Sequence, residues 1–500
     1  MIRRGLAFAG AVLLAGCMVG PDYSRPAAPV PVAFKERAGW KLSQPADAID
    51  KGAWWSIYHD PELDRLERMV ALSNQNVKSF EAQYRNAVAL VAEAQSGLYP
   101  SLGIAPGISR SGSGGGGFSG GTTGGTTGAT GSSGSTSHFS GGGPLTSYSL
   151  TGSASWAPDL WGRVRREVES SVAGAQVSAA DLANATLSAQ GVLAADYFSL
   201  RYQDSLAILL QQTVEAYRRA LQITENQYRA GTTPPLDYAT ALAQLQSAQA
   251  QLAGVEVLRQ QYEHAIAVLT GHPPSDLTIP PAPLTNDVPV APPGLPSTLL
   301  ERRPDIAAAE RAMQQENALI GVQVAAFYPT ISLSAVGGFA GNPLSQLLNA
   351  SNSLWSLGAA GGETLFEGGL RTASVAAARA TYDSAVASYR QTVLTAFQQV
   401  EDALSSLRIL EQQAAAEARA VQSAQRAVQV ALNTYRAGTA VYTAVITEQT
   451  LLLVDQQSAL SVQQGRLLNS VALIQALGGG WTTHDLPAPD QVKTFNPLLP

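Results

Sequence analysis

The stretch SYSLTGSASW, residues 147–156, alternates polar and apolar side chains along its whole length. Its odd positions are all Ser or Thr, and its even positions are Tyr148, Leu150, Gly152, Ala154 and Trp156. About ten residues of this alternation, ending in an aromatic, fit a strand with lipid on one face and water on the other. An ordinary half-buried strand has the same period, so this stretch alone leaves both interpretations open.

Three further segments carry related patterns, the last of them more weakly. The predicted strands cover residues 101–110, 147–157, 330–339 and 353–364, with apolar alternation at Leu102, Ile104 and Ile108 and again at Ile331, Leu333, Ala335, Gly337 and Phe339. An open strand edge is not tolerated in lipid, because its backbone groups would lack hydrogen-bond partners. A single-chain membrane barrel needs about eight strands, so we expect copies of the chain to combine theirs, twelve strands in a trimer.

The chain contains one unit twice. Asn226, Tyr228-Arg229-Ala230-Gly231 and Thr232 recur as Asn433, Tyr435-Arg436-Ala437-Gly438 and Thr439, at an offset of 207 residues (435 − 228). Upstream, Tyr99-Pro100 recurs as Tyr328-Pro329 at an offset of 229 residues (329 − 100). The difference places extra length in the first unit, where a loop rich in Gly, Ser and Thr is predicted over 111–146.

Long helices are predicted after each strand pair. No proline interrupts the chain from Arg163 to about Ala230, which would form a rod on the order of 100 Å long. The alternative, several shorter helices folded back on one another, lacks the turn clusters that would break the rod. In the second unit a coiled-coil-like seam runs through Val386, Tyr389, Val393, Phe397, Val400, Leu404 and Leu407. Helical hairpins are therefore predicted over 163–271 and 370–477.

The N-terminus has the pattern of a secretory signal peptide. Arg3 and Arg4 precede an apolar run that ends at Leu14, too short for a membrane helix, and residues 1–16 are predicted to be removed. Cys17 follows directly and is the only cysteine, which excludes a disulfide within the chain. The sequence LAGC, residues 14–17, resembles the bacterial lipobox. That resemblance implies a covalent lipid on Cys17 and, since Asp does not follow it, sorting to the outer membrane.

Composition and motifs argue against several other classes of protein. The formal net charge is −6 and no basic tract is present, so nucleic acid is not expected as a partner. None of the 5 His residues has metal-ligand spacing, and no Lys follows a phosphate-binding glycine loop. The sequence GFSGG, residues 117–121, matches a nucleophile elbow only by chance inside the low-complexity loop. We expect no enzyme activity, no metal and no cofactor other than the lipid.

The order of these elements, together with several short motifs, resembles the TolC family of outer-membrane efflux proteins, in its lipoprotein branch with OprM and NodT. The motifs are Asp159-Leu160-Trp161-Gly162, Arg302-Arg303-Pro304-Asp305-Ile306, Phe327-Tyr328-Pro329 and Phe366-Glu367-Gly368-Gly369, beside the two Tyr-Arg-Ala-Gly turns. The resemblance implies a mixed α and β membrane protein: a homotrimer with a 12-stranded transmembrane β-barrel, four strands from each chain, above a periplasmic α-barrel of helical hairpins.

The same resemblance implies a function and partners. The chain is expected to be the passive outer-membrane duct of a tripartite efflux pump for drugs or other small molecules, with a periplasmic adaptor and an inner-membrane transporter of the RND type. A channel for type I protein secretion and a non-transporting structural lipoprotein are the alternatives. The family implies adaptor contacts at the turns Tyr228, Arg229, Gly231, Tyr435, Arg436 and Gly438. Asp237 is a candidate gate residue, although its repeat equivalent is Ala444, and it could instead cap a helix.

The predicted organisation therefore has six parts. They are the signal peptide 1–16, a lipidated tether 17–53, a first repeat 54–280, a Pro-rich linker 281–300, a second repeat 301–480 and a tail 481–500. The expected location is the outer membrane, lipid-anchored and extending into the periplasm.

Overall fold

A computed structural model of the chain describes residues 18–31, 34–35, 53–111, 145–289 and 302–493. The predicted signal peptide, the lipidation site Cys17, most of the loop 111–146 and most of the linker 281–300 lie outside these described residues.

Two similar units of helices and strands follow one another. The first contains α1 (Pro61–Ser73), α2 (Gln75–Ser96), β1 (Ser101–Ser111), β2 (Leu145–Trp156), α3 (Arg163–Arg229) and α4 (Pro235–Leu269). The second contains α5 (Pro304–Ala325), β3 (Thr330–Gly341), β4 (Ser353–Gly362), α6 (Leu370–Arg436) and α7 (Tyr442–Ala476), and a short α8 (Pro489–Val492) follows. A 3-10 turn, Trp54–Tyr58, precedes α1.

The helical hairpins are built to the same lengths in both units. The helices α3 and α6 each run for 67 residues without a break, and α4 and α7 each run for 35. At 1.5 Å per residue, the longer helices span about 100 Å. The alternative of several short helices in the region after Arg163 is excluded.

The four strands form one antiparallel sheet in the order β1-β2-β3-β4. The strand β4 ends at Gly362, two residues before the predicted end at 364, because Gly362 already faces Thr330, the first residue of β3. The middle pair, β2 with β3, joins the two repeats, with Gly152 facing Gly337.

The main hydrophobic core lies where α1 and the 3-10 turn pack across the long helices. The seam of α6 is buried there as predicted, with Tyr389, Val393 and Leu404 all 0% exposed. Leu63 and Leu66 of α1 join the same cluster. Burial of each such side chain contributes roughly 1.5–3 kcal/mol, which fixes the N-terminal elements to both hairpins.

Buried charges tie the segment after α4 back onto the first hairpin. Arg259 pairs with Asp204 at 2.8 Å and with Glu263 at 2.9 Å, and its third nitrogen donates to the Ile279 carbonyl at 2.7 Å. Glu263 also accepts a hydrogen bond from the Ile279 N–H at 2.7 Å, and Asp204 accepts one from the Ala282 N–H at 3.0 Å. Because each buried charge has a partner and removal of one would leave the other uncompensated, the network fixes the path of this segment.

None of the helices in the described part of the chain combines the length and apolar character needed to cross a membrane.

Candidate functional site

The sheet has one apolar face and one face of small and polar side chains. The apolar face carries Leu102, Ile104, Pro106, Ile108, Tyr148, Leu150, Trp156, Leu333, Phe339, Trp355 and Leu357, since directly facing residues share a face. The opposite face carries mainly Ser, Thr, Gly and Ala. Ile104 is 81% exposed and Trp355 is 78% exposed in the single chain, so this apolar surface needs an apolar environment outside it.

Both edges of the sheet are open in the single chain. The strands β1 and β4 each have one neighbour, and no other strand of the described residues pairs with their outer edges. An unpaired edge next to an apolar face requires a further strand if the sheet is to enter lipid.

The N-terminal strap, residues 18–31, begins at the junction between the sheet and the helices. The Val19 N–H donates to the Trp161 carbonyl at 3.2 Å, between β2 and α3. Arg166 of α3, which is 1% exposed, holds the strap by donating to the carbonyls of Val19 at 3.2 Å and Gly20 at 3.3 Å and to Asp22 Oδ1 at 2.8 Å. A buried guanidinium with several acceptors is a strong and specific anchor.

Further along, the strap is bound to α5 and α6. Asn317 donates to the Pro21 carbonyl at 3.0 Å, and Arg25 donates to the Tyr389 hydroxyl at 3.1 Å and pairs with Glu310 at 3.4 Å. The strap therefore fixes the chain immediately after the predicted lipidation site beside the sheet. Sequence reasoning missed Arg166, because one arginine in a charged helix start carries no distinguishing signal.

The two repeated turns end α3 and α6 with the same backbone geometry. Gly231 has φ 70 and Gly438 has φ 72, the left-handed conformation that glycine adopts without strain. In both turns the N–H of the residue after the glycine donates a hydrogen bond to a carbonyl in the last turn of the helix. Thr232 donates to the Gln227 carbonyl at 2.9 Å, and Thr439 donates to the Thr434 carbonyl at 3.0 Å. Both glycines therefore end a long helix.

The repeated tyrosines pack the turns. Tyr228 stacks on Tyr238 with ring centroids 5.6 Å apart, so it joins α3 to α4. Tyr435 contacts Tyr442 at 5.2 Å and donates its hydroxyl to Gln227, so it joins the two hairpins to each other. Burial raises the pKa of Tyr435, which keeps the hydroxyl a donor. Packing within the tips accounts for the recurrence of Tyr.

The arginines of the turns remain at the surface. Arg229 has a side chain that is 72% exposed and pairs with Glu225 one helical turn earlier. Arg436 is exposed and lines a cavity of about 530 Å³ between the hairpins, the tip cleft. The tip cleft is lined by α3, α6 and α7 and includes Tyr217, Arg219, Gln222, Leu432, Gln449 and Leu453.

Asp237 lies in the first turn of α4, where its carboxylate accepts a hydrogen bond from the Thr233 hydroxyl at 2.8 Å. A carboxylate in this position stabilises a helix start by about 0.3–1 kcal/mol. The prediction that Asp237 caps the helix is not met, because the N-cap residue is Pro234 and no side chain caps the helix there. The gate role stays a prediction. Within the described residues, no group of three or more His, Cys, Asp or Glu side chains could hold a metal ion.

Comparison with known proteins identifies the family. The family described as outer membrane efflux protein matches residues 68–272 and 295–479. The chain is 29% identical over 496 residues to the probable efflux pump outer membrane protein TtgC of Pseudomonas putida, covering 97% of each chain. It is 28% identical over 480 residues to the cation efflux system protein CusC of Escherichia coli, covering 95% of this chain and 98% of CusC.

Solved structures agree with this result. The outer-membrane channel OprN superposes with a TM-score of 0.81 at 27% identity, covering 93% of this chain and 100% of OprN. The open state of the MtrE outer membrane channel of Neisseria gonorrhoeae superposes with a TM-score of 0.79 at 27% identity, covering 93% and 98%.

The chain belongs to the outer membrane efflux protein family. Its paired helical hairpins and four-stranded antiparallel sheet are the fold of outer-membrane channels, and the resemblance inferred from the sequence motifs is confirmed. The protein is an outer-membrane efflux protein.

Proposed function

We propose that three copies of this chain form an efflux duct, with twelve strands closing a β-barrel in the outer membrane and the hairpins closing an α-barrel in the periplasm. The single observation that carries the proposal is the sheet, which has an exposed apolar face, a face of Ser, Thr and Gly, and two open edges. Facing the apolar side outward and the polar side inward gives a water-filled conduit with no chemistry of its own. The two repeats, 54–280 and 301–480, each contribute two strands and one hairpin.

The hairpin tips are the proposed contact for a periplasmic adaptor that links the duct to an inner-membrane transporter of the RND type. The exposed arginines Arg229 and Arg436 present planar donors that suit carboxylates or carbonyls of a partner. Asp237, close to the same turns, is the proposed acidic contribution to a gate that closes the periplasmic end. A relative named as a probable efflux pump outer membrane protein supports the part of the proposal that makes the chain a component of a pump.

A covalent lipid on Cys17 is the proposed second membrane attachment. Because the strap is bound beside Trp161, a lipid one residue before Met18 would start next to the sheet. A lipid of several acyl chains adds about 0.8 kcal/mol per buried methylene and makes the anchor effectively permanent.

The test is efflux of a preloaded fluorescent dye from a bacterium that lacks its own outer-membrane efflux channel. The chain, expressed with an adaptor and an RND transporter encoded beside it, is expected to restore dye efflux. A matched pair of variants tests whether efflux depends on the pairing of the strands in the sheet. A β-carbon on Gly338 would come within 2.2 Å of the Leu150 carbonyl oxygen, whereas one on Gly337 meets nothing within 4 Å. Gly338→Ala should abolish efflux and Gly337→Ala should retain it; absence of efflux with the unmodified chain present in the outer membrane would overturn the proposal.

A further inference from the structure

The internal repeat relates the strands of one half to those of the other. The β1–β2 pair Ile104–Gly152 becomes Leu333–Ala359 when β1 is moved forward by 229 residues and β2 by 207 (333 − 104 and 359 − 152). Leu333 and Ala359 are indeed a facing pair of β3 and β4. The offsets found in the sequence are therefore also the offsets of the two hairpin registers, and β2 is equivalent to β4 as β1 is to β3.

Repeat symmetry predicts two strand contacts between the repeats, β2 with β3 and β4 with β1. The single chain contains only the first of them among its described residues. The strands β2 and β3 pair inside the chain, while their equivalents β4 and β1 lie at opposite edges of the sheet with no partner in the described residues. A second copy of the same chain can supply the missing partner at each edge, its β1 for β4 and its β4 for β1. A closed ring of copies can form only if β4 of one subunit pairs with β1 of the next.

From this symmetry we infer the register of the subunit contact, an inference that rests on the proposed trimeric duct. The observed pair Gly152–Gly337 converts to Ala359 of one subunit facing Ile108 of the next, by the offsets of 207 and 229 (359 − 152 and 337 − 108). In the same way Ser149–Ala340 converts to Ser356 facing Ser111. The strands β4 and β1 then overlap from Ser356 to Gly362 on one side and from Ala105 to Ser111 on the other.

The faces of the two strands agree with this register and exclude a slip of one residue. Ala359 belongs to the apolar face, because it faces Leu333, and Ile108 belongs to the same face, because it faces Tyr148. The inferred pairing therefore carries the apolar face across the subunit boundary without a break. A slip of one residue would place apolar side chains of one subunit beside the polar face of the next.

Disulfide cross-linking tests the register directly. Facing pairs of an antiparallel ladder alternate between wide and narrow, so two pairs of opposite type are used, Ile108→Cys with Ala359→Cys and Ser111→Cys with Ser356→Cys. Oxidation should convert each double variant into a covalent trimer on a non-reducing gel, and single variants should not. Matched controls combine Ala359→Cys with Pro106→Cys or with Arg110→Cys, which shift the register by two residues and place the Cα atoms roughly 7–8 Å apart, too far for a disulfide.

Amine cross-linking of the unmodified protein measures the trimer separately. A trimer whose disulfides form at the inferred pairs and not at the shifted pairs supports the register. A trimer whose disulfides form at a shifted pair overturns the register and leaves the duct intact. An unmodified protein that gives no trimer overturns the proposed function itself.

Discussion

Gly20 lies so close to Gly321 that a β-carbon built on Gly20 would come within 2.5 Å of the Gly321 Cα. Gly20 also has φ +99, a conformation that side chains disfavour. The N-terminal strap therefore rests directly on the backbone of α5, and the buried side chain of Arg166 binds it at the same place.

Gly20→Ala is expected to lift the strap from α5, because the helix backbone at Gly321 cannot move away from the added methyl group. The cost should be roughly 1–3 kcal/mol in local stability, and amide exchange of Val19, which donates to Trp161, should become faster. Hydrogen exchange with mass spectrometry measures it. Gly254→Ala is the control, because a β-carbon there meets nothing within 4 Å and the change should stabilise α4 by up to about 1 kcal/mol. Equal exchange in both variants would show that the contact does not hold the strap.

Glu67 makes the stability of the protein depend on pH. It is 0% exposed, neither carboxylate oxygen has a hydrogen-bond partner among the described residues, and burial raises its pKa from 4.5 to about 9. The folded state thus keeps a proton that the unfolded chain loses, so this contribution to stability is complete below pH 4.5 and is lost as the pH rises toward 9.

Glu67→Gln should remove this loss. We expect it to raise the free energy of unfolding by a few kcal/mol, on the order of 2–4, at pH 8 and to change it little at pH 4.5. Thermal unfolding of the purified protein across this pH range is the measurement. Glu81→Gln, at an exposed position of α2, is the control and should follow the parent. A Glu67→Gln variant with the parent's pH dependence would refute this role.

Charge reversal of both tip arginines, Arg229→Glu with Arg436→Glu, should weaken adaptor binding and restore drug sensitivity. Assembly should be unaffected, because exposed charges contribute about 0–1 kcal/mol each and the packing of the tips comes from the tyrosines. Cross-linking to the adaptor and drug susceptibility, both normalised to trimer abundance, are the readouts. Arg379→Glu, a reversal at an exposed position near the other end of α6, serves to separate a specific contact from a general charge effect. Unchanged cross-linking and resistance would show that the two arginines are only solvated side chains at helix ends and do not bind the adaptor.

Cys17→Ser should abolish acylation, because no other cysteine is present in the chain. Metabolic labelling with palmitate, followed by fractionation of the envelope, checks this expectation. Label that persists on the variant would contradict it.

Much of the fold followed from periodicity and repetition. The strand alternation at 147–156 indicated the two faces of the sheet, and the uninterrupted stretch after Arg163 indicated a single long helix. These features are predictable because they depend on local spacing along the chain. Strand ends do not follow from the local pattern, because β4 ends at Gly362, the residue that faces the first residue of β3, Thr330.

The tertiary contacts of the candidate sites could not be predicted in the same way. Arg166 recognises strap carbonyls 146 and 147 positions away, and Tyr435 donates to Gln227 across 208 positions. The Tyr-Arg-Ala-Gly repeat suggested a partner site as a whole, whereas the structure divides it into helix-ending glycines, packing tyrosines and exposed arginines. Such residues meet only in the packed fold, because no local sequence pattern indicates which distant residue accepts the hydrogen bond.

The central claim is that the sheet spans the outer membrane with one face on lipid and one on water. Spin labels placed singly along β2, from 148 to 155, can be read for collision with oxygen and with a water-soluble nickel chelate. The even positions, from Tyr148 to Ala154, should be accessible to oxygen, and the odd positions, from Ser149 to Ser155, to nickel. This alternation with a period of two should hold in lipid-reconstituted protein. Equal access of the nickel reagent to both sets would contradict a membrane-spanning sheet.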